Sequence, residues 1–196
     1  MSNPLRNPFL ILITILLAVS LIFVVFSAAF NETVLNPGFI NAEFEKYQSS
    51  GGYGESGDLK ELIGQLTCVS GLFYFVFYVL VILSVILSLF IVLISYRDVV
   101  RAFIYLASAA VSASVLSYIL SVLAFKLTLN RIHGGGGVLS EQVTIDILSG
   151  FTGQVRDYAI ILLLAGLLLL LLAYLTQRMI KFLETPQDDT ESKNDN

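Results

Sequence analysis

The chain has 196 residues, of which 56% are hydrophobic and 13% are charged, and its formal net charge is −4. An average soluble domain is about 45–50% apolar and about 25% charged, so this composition excludes an ordinary soluble enzyme, a disordered chain and a basic nucleic-acid-binding protein. The single cysteine excludes an intramolecular disulfide framework and a CxxC redox pair. The sequence therefore predicts an all-α polytopic membrane protein.

Four segments are long and apolar enough to cross a bilayer, which takes about 20 residues of helix. They cover about residues 9–30, 71–95, 102–125 and 158–176, and each is free of charged residues. We therefore expect a four-transmembrane-helix bundle. The first segment could instead be a cleaved signal peptide that ends near Ser27, but its apolar run exceeds the usual length of about 7–15 residues. An uncleaved anchor is favoured.

Charge asymmetry around these segments predicts their orientation, because Lys and Arg concentrate on the cytoplasmic side. Five basic residues lie near one set of span ends: Arg6, Arg97, Arg101, Arg178 and Lys181. The loop 31–70, at the other set, holds two basic and six acidic residues. We expect both termini inside, loops 31–70 and 126–157 outside, and insertion in the plasma membrane. Residues 1–183 would form the membrane domain, followed by a disordered acidic cytoplasmic tail, 184–196.

The two outer loops carry signals for short amphipathic helices. Asn36-Pro37 reads as an N-cap followed by proline at the first helical position, and Asp58 and Ser140 are further caps. The helix after Asp58 can continue straight into the second span. We expect these helices to pack as a cap over the bundle rather than lie in the bilayer interface, because they lack the Lys and Arg of interfacial helices. The cap residues would be Phe39, Phe44, Leu59, Leu62, Ile63 and Phe151.

Small and hydroxylated residues recur at helical spacing in the second and third spans. They are Ser84, Ser88, Ala110, Ser114, Ser117 and Ser121. Small residues let helices approach closely in a membrane, so the favoured interpretation is a packing seam between spans two and three. A polar lining for a permeation path and a seam for another subunit are the alternatives. The fourth span is nearly all leucine, and Ala165-Gly166 is the one place where a neighbour can come close.

Residues that would support catalysis do not form a recognisable set. The spans contain no ionisable side chain, which disfavours proton-coupled transporters, ion pumps and intramembrane proteases. His133 has no second histidine as a co-ligand, and the glycines at 134–137 favour a hinge. Cys68 fits a small buried residue better than a nucleophile. Asn31 begins a glycosylation sequon that abuts the first span. We expect no cofactor and no metal.

Two functions remain after these exclusions. The favoured one is a non-catalytic accessory, assembly or scaffold subunit, which binds a membrane-protein partner through its outer cap and helix faces. The alternative is a small transporter or lipid-binding protein that uses a Ser-lined groove between spans two and three. The expected surroundings are the lipid bilayer and a protein partner, with homo-oligomerisation left open and no nucleic acid.

Overall fold

The structure, a computed structural model, describes residues 6–36, 38, 56–132 and 141–184. Within these ranges the chain is helical and contains no strand. The four long helices are α1 (Arg6–Thr33), α2 (Ser56–Ile94), α3 (Val99–Ile132) and α4 (Glu141–Glu184). Each contains a stretch long and apolar enough to cross a membrane. The prediction of an all-α protein with four such helices is confirmed.

The helices run farther than the apolar segments because nothing in their sequence ends them. No proline occurs between Pro37 and Pro186, and proline is the residue that most reliably stops a helix. The segment after Asp58 is therefore the beginning of α2, and the segment after Ser140 is the beginning of α4. Each continues unbroken into a span instead of forming a separate short helix.

Most of the predicted cap residues lie outside the described residues, or have side chains that are not described. This applies to Phe39, Phe44 and the 134–137 hinge, and to the side chains of Leu59, Leu62 and Ile63. At the start of this region the Asn36 Oδ1 accepts a hydrogen bond of 2.9 Å from the Gly38 N–H. This is the contact expected of an N-cap residue.

Helix α1 is the centre of the bundle, since it packs against all three other helices. We call the end of the bundle at residues 95–98 the turn end and the opposite end the loop end. Toward the turn end, Leu17 packs in a cluster with Ile91 of α2 and Ala113 of α3. Toward the loop end, Ala29 packs in a second cluster with Val155 of α4. Helix α1 therefore changes its main neighbour along its length.

Helices α3 and α4 form the most extensively packed pair. Their contact is made by small residues: Ala159, Gly166 and Ala173 are spaced seven apart on α4 and are buried. A heptad spacing keeps residues on nearly one face of a helix. A Cβ atom placed on Gly166 would lie 2.8 Å from Val111 Cγ2. The two helices are therefore so close at this glycine that a larger side chain does not fit. The predicted close approach at Ala165-Gly166 is confirmed.

Helix α2 lies at the periphery. Its α1-facing stripe includes the buried residues Ser84, Ile91 and Ser95. Among the described residues, α2 packs mainly on α1, contacts α3 sparingly and does not meet the backbone of α4. Only 11% of its most apolar stretch is buried, against 39% for each of α1 and α3. One helix of the four is thus attached along a single side.

A short turn joins α2 to α3 at the turn end of the bundle. Asp98 caps α3, because its Oδ1 accepts a hydrogen bond of 3.2 Å from the Arg101 N–H. The Arg101 Nε also lies 2.7 Å from Asp98 Oδ2. The Arg97 guanidinium lies 5.4 Å from the centre of the Tyr96 ring. The turn therefore places two arginines at one end of the bundle.

Candidate functional site

The serines of α2 are engaged with α1 and with their own helix. The Ser84 Oγ lies 2.9 Å from the Ser20 Oγ of α1. Ser84 also donates to the Leu80 carbonyl at 2.9 Å. The Ser88 hydroxyl donates to the Ser84 carbonyl at 2.8 Å. These hydroxyls are therefore used in a helix contact and in bonds to the preceding turn, as is common for serine in apolar helices.

The corresponding residues of α3 include direct contacts with α4. The Ser114 Oγ donates a hydrogen bond of 2.6 Å to the Ala159 carbonyl, and Ala110 lies against Gly166. Ser121 is buried and donates to the Tyr118 carbonyl at 2.9 Å.

Ser117 is fully buried, and its hydroxyl has no hydrogen-bond partner within the described part of the chain. Because Ser84 meets α1 while Ser114 and Ala110 meet α4, the structure places these small residues on different helix pairs rather than on one seam between α2 and α3.

An aromatic cluster joins three helices near the loop end. Phe30 of α1 stands between Phe73 of α2, at a ring-centre distance of 4.7 Å, and Phe151 of α4, at 6.5 Å. Phe26 lies one turn before Phe30, and its ring centre is 6.0 Å from that of Phe151. Phe151, a predicted cap residue, therefore packs against the first span. Phenylalanines four apart in the first span were the sequence signal for this cluster.

A pocket of about 450 Å³ opens next to this cluster between α1, α2 and α4. Its lining comprises Ala28, Asn31 and Glu32 of α1, the following Asn36, Tyr74 and Phe77 of α2, and Tyr158 of α4. The pocket exists because α2 and α4 both pack on α1 at this level without their backbones meeting. Polar side chains from more than one helix converge in this cavity.

Two polar groups define the chemistry of this pocket. The Tyr158 hydroxyl donates a hydrogen bond to the Glu32 carboxylate, which links α4 to α1. Asn31 is only 6% exposed, and its Oδ1 atom has no hydrogen-bond partner among the described residues. An asparagine buried in the last turn of a helix is a poor acceptor for a glycan.

Sequence reasoning did not select Glu32, Tyr74 or Tyr158 as site residues. Each lies at the edge of an apolar segment, where a polar residue or a tyrosine is ordinary. Glu32 and Tyr158 are 126 residues apart. The signal for this pair was a carboxylate and an aromatic ring at the same depth in two antiparallel spans. It can be used only when the neighbouring spans are already known.

Comparison with protein-family models, with curated protein sequences and with solved structures finds no match. The four candidate spans suggest a multi-pass membrane protein. A bundle of four helices is used for many unrelated activities. The functional argument therefore depends on the surfaces and the pocket of this chain.

Proposed function

We propose that this chain is a non-catalytic accessory, assembly or scaffold subunit that lies in the plasma membrane and binds a membrane-protein partner. The observation that carries the proposal is the position of α2, which is attached to the bundle on one side and has 11% of its most apolar stretch buried, the lowest share of the four spans, with 17% for α4. In a subunit of a larger complex, such a helix is available to a neighbouring protein.

The outward side of α2 forms a continuous apolar stripe, which we call the α2 stripe. It consists of Phe75, Ile82, Ile86, Leu89 and Leu93, all of them exposed. At about 100° per residue, Phe75 and Leu93 lie on the same side of the helix, and Ser84 lies opposite them. The stripe therefore faces away from α1 along the whole span.

The contrast with α4 supports a protein rather than lipid as the neighbour of the α2 stripe. The exposed side of α4 is formed mainly by leucines such as Leu164 and Leu168, which suit a lipid environment, and its exposed aromatic side chains, Tyr174 and Phe182, lie toward its C-terminal end. The α2 stripe includes the exposed Phe75, and exposed Tyr78 and Phe90 lie on the same helix. Large aromatic side chains are enriched where proteins contact each other.

The proposed topology has both termini in the cytoplasm. It is supported by the position of Arg97 in the turn between α2 and α3 and of Arg101 in the first turn of α3, and by Arg178 and Lys181 near the end of α4. Consecutive helices contact each other while running in opposite directions, so these residues lie at the same end of the bundle. Clustering of Lys and Arg at one end is typical of the cytoplasmic side.

The alternative of a transporter with a Ser-lined groove receives less support. Ser84 and Ser114 use their hydroxyls in helix–helix hydrogen bonds. Ser121 uses its hydroxyl within its own helix. Hydroxyls that are buried and bonded in this way favour packing over a polar path.

Purification of the tagged full chain from native membranes in mild detergent tests the proposal. We expect a membrane protein, or a second copy of this chain, to co-purify in a defined ratio. The double variant Phe75→Ala/Leu93→Ala should lose this partner. The matched control Leu164→Ala/Leu168→Ala removes similar side chains from α4 and should retain it. Recovery of a lone monomer from several mild detergents would contradict the proposal.

A further inference from the structure

The pocket at the loop end carries a negative charge, and none of its lining residues is a Lys, Arg or His. Of its seven lining residues, Glu32 is the only one of the Asp, Glu, Lys, Arg and His types. The hydrogen bond from the Tyr158 hydroxyl holds the carboxylate at the wall. Arg156, near in sequence, is exposed and lies 3.5 Å from Asp157, and neither residue lines the pocket. The pocket therefore suits a cation.

Aromatic side chains form the wall contributed by α2. Tyr74 and Phe77 line the pocket there, across from the α1 residues Ala28 and Glu32. A carboxylate combined with aromatic rings is the arrangement that recognises organic ammonium groups, through ion pairing and cation–π attraction. The volume of about 450 Å³ falls within the range of about 300–1,000 Å³ typical of small-molecule sites.

The position of the pocket indicates what kind of molecule carries the ammonium group. Ala28 and Phe77 lie on the side toward the middle of the spans, and Glu32 and Asn36 lie toward the loops. The pocket also opens between α2 and α4, whose backbones do not meet. A ligand with a charged head at Glu32 and an apolar chain passing Phe77 matches this order.

We propose that the pocket binds the ammonium head group of a membrane amphiphile, as found in lipids with an ethanolamine or choline head. Glu32 pairs with the ammonium charge, and Tyr74 and Phe77 surround its apolar substituents. The amide side chains of Asn31 and Asn36 provide further polar surface. This inference rests on the membrane location proposed above and is independent of any protein partner.

Native mass spectrometry of the purified full chain, in a detergent that preserves lipid binding, tests the site. The lipids are phosphatidylethanolamine, phosphatidylcholine and phosphatidylglycerol with identical acyl chains, and tetramethylammonium is the soluble probe. We expect the two ammonium lipids to bind at least about fivefold more tightly than phosphatidylglycerol, and tetramethylammonium to compete with them. Equal binding of all three lipids would overturn the proposal. Tight binding of tetramethylammonium to the lipid-free chain without a lipid preference would overturn the lipid as the source of the ammonium group.

Variants with matched controls assign the binding to the pocket. Glu32→Gln keeps an acceptor for the Tyr158 hydroxyl but removes the charge, so we expect binding of the ammonium lipids to weaken about tenfold. Asp157→Asn makes the same change of charge nearby and should bind as the parent does. Tyr74→Leu should weaken binding about threefold, whereas Tyr78→Leu, on the same helix outside the pocket, should not.

Unchanged binding in both Glu32→Gln and Tyr74→Leu would refute the site. Thermal unfolding of each variant shows whether a loss of binding reflects a loss of fold. Extraction of native membranes with alkaline carbonate tests the membrane location separately. A chain released by carbonate would refute that location, and the lipid-binding result would then be judged by the tetramethylammonium measurement alone.

Discussion

Replacement of Gly166 by alanine probes the close contact between α4 and α3 at this position. The added Cβ would lie 2.8 Å from Val111 Cγ2 and 3.2 Å from both Ala110 Cβ and the Val111 backbone nitrogen. Valine has one strongly preferred rotamer in a helix, so Val111 cannot turn aside without cost. The backbone nitrogen cannot move unless α3 moves. The contact can be relieved only by separating the two helices or by straining them.

The expected size of the effect follows from two opposing terms. Overpacking of a well-packed contact costs about 1–3 kcal/mol, and alanine is favoured over glycine inside a helix by about 0.5–1 kcal/mol. Gly166→Ala should therefore lower the free energy of unfolding by about 0–2.5 kcal/mol. Gly153→Ala is the matched control, since it lies in the same helix and its added Cβ would meet nothing within 4 Å. It should be stabilising by about 0.5–1 kcal/mol.

The difference between the two variants removes the helix-propensity term and isolates the packing cost, about 1–3 kcal/mol. Reversible unfolding of the purified chain in bicelles measures it. Gly166→Ala should lower the free energy of unfolding less in a Val111→Ala background than in the parent, because the 2.8 Å contact disappears. Equal stability of Gly166→Ala and Gly153→Ala would refute the close α3–α4 contact on which the fold depends.

Two further predictions concern the serine hydroxyls. The Ser20–Ser84 contact should show a coupling free energy of about 0.6 kcal/mol in a double-mutant cycle with alanine, the average for interhelical hydrogen bonds in membranes; a coupling of zero would show that the two hydroxyls do not meet. Ser114→Ala should lower the free energy of unfolding by about 0.5–1.5 kcal/mol, because it removes the hydrogen bond to the Ala159 carbonyl. Ser117→Ala removes a buried hydroxyl for which the described residues offer no partner, so it should be neutral or stabilising, and an equal loss in both variants would contradict this distinction.

The presence of four apolar helices was predictable from the sequence, because uncharged runs of about 20 residues leave few alternatives. Their ends were less predictable. The capping signals at Asp58 and Ser140 indicate where a helix begins, but a beginning does not distinguish a short loop helix from the extension of a span. The absence of proline up to Pro186 was the signal for extension.

The close approach at Gly166 was predictable, but the wider pattern was not recognised. A search for small residues four apart finds only Ser149 and Gly153, near the beginning of α4, whereas Ala159, Gly166 and Ala173 recur every seven residues along the span. Small residues can share one face of a helix at a spacing of four residues, about one turn, or of seven residues, about two turns. The seven-residue pattern joins α4 to α3 along most of the span.

The choice of neighbours could not be read from one sequence. Periodicity identifies Ser84 and Ser114 as residues that face another helix, but it does not say which helix. Consecutive spans are the natural first assumption, and the predicted seam paired these serines across α2 and α3. Instead, α1 lies between α2 and the α3–α4 pair, and the pocket with Glu32 and Tyr158 follows from this arrangement.

Photo-crosslinking in native membranes tests most directly the claim that α2 faces a protein partner. Benzoylphenylalanine would replace Phe75, Ile82 or Leu93 of the α2 stripe, and Leu164 or Leu168 of α4 as controls. The account predicts crosslinks to one protein from all three α2 positions, with lipid adducts alone from the α4 positions. Lipid adducts alone from every α2 position would contradict it.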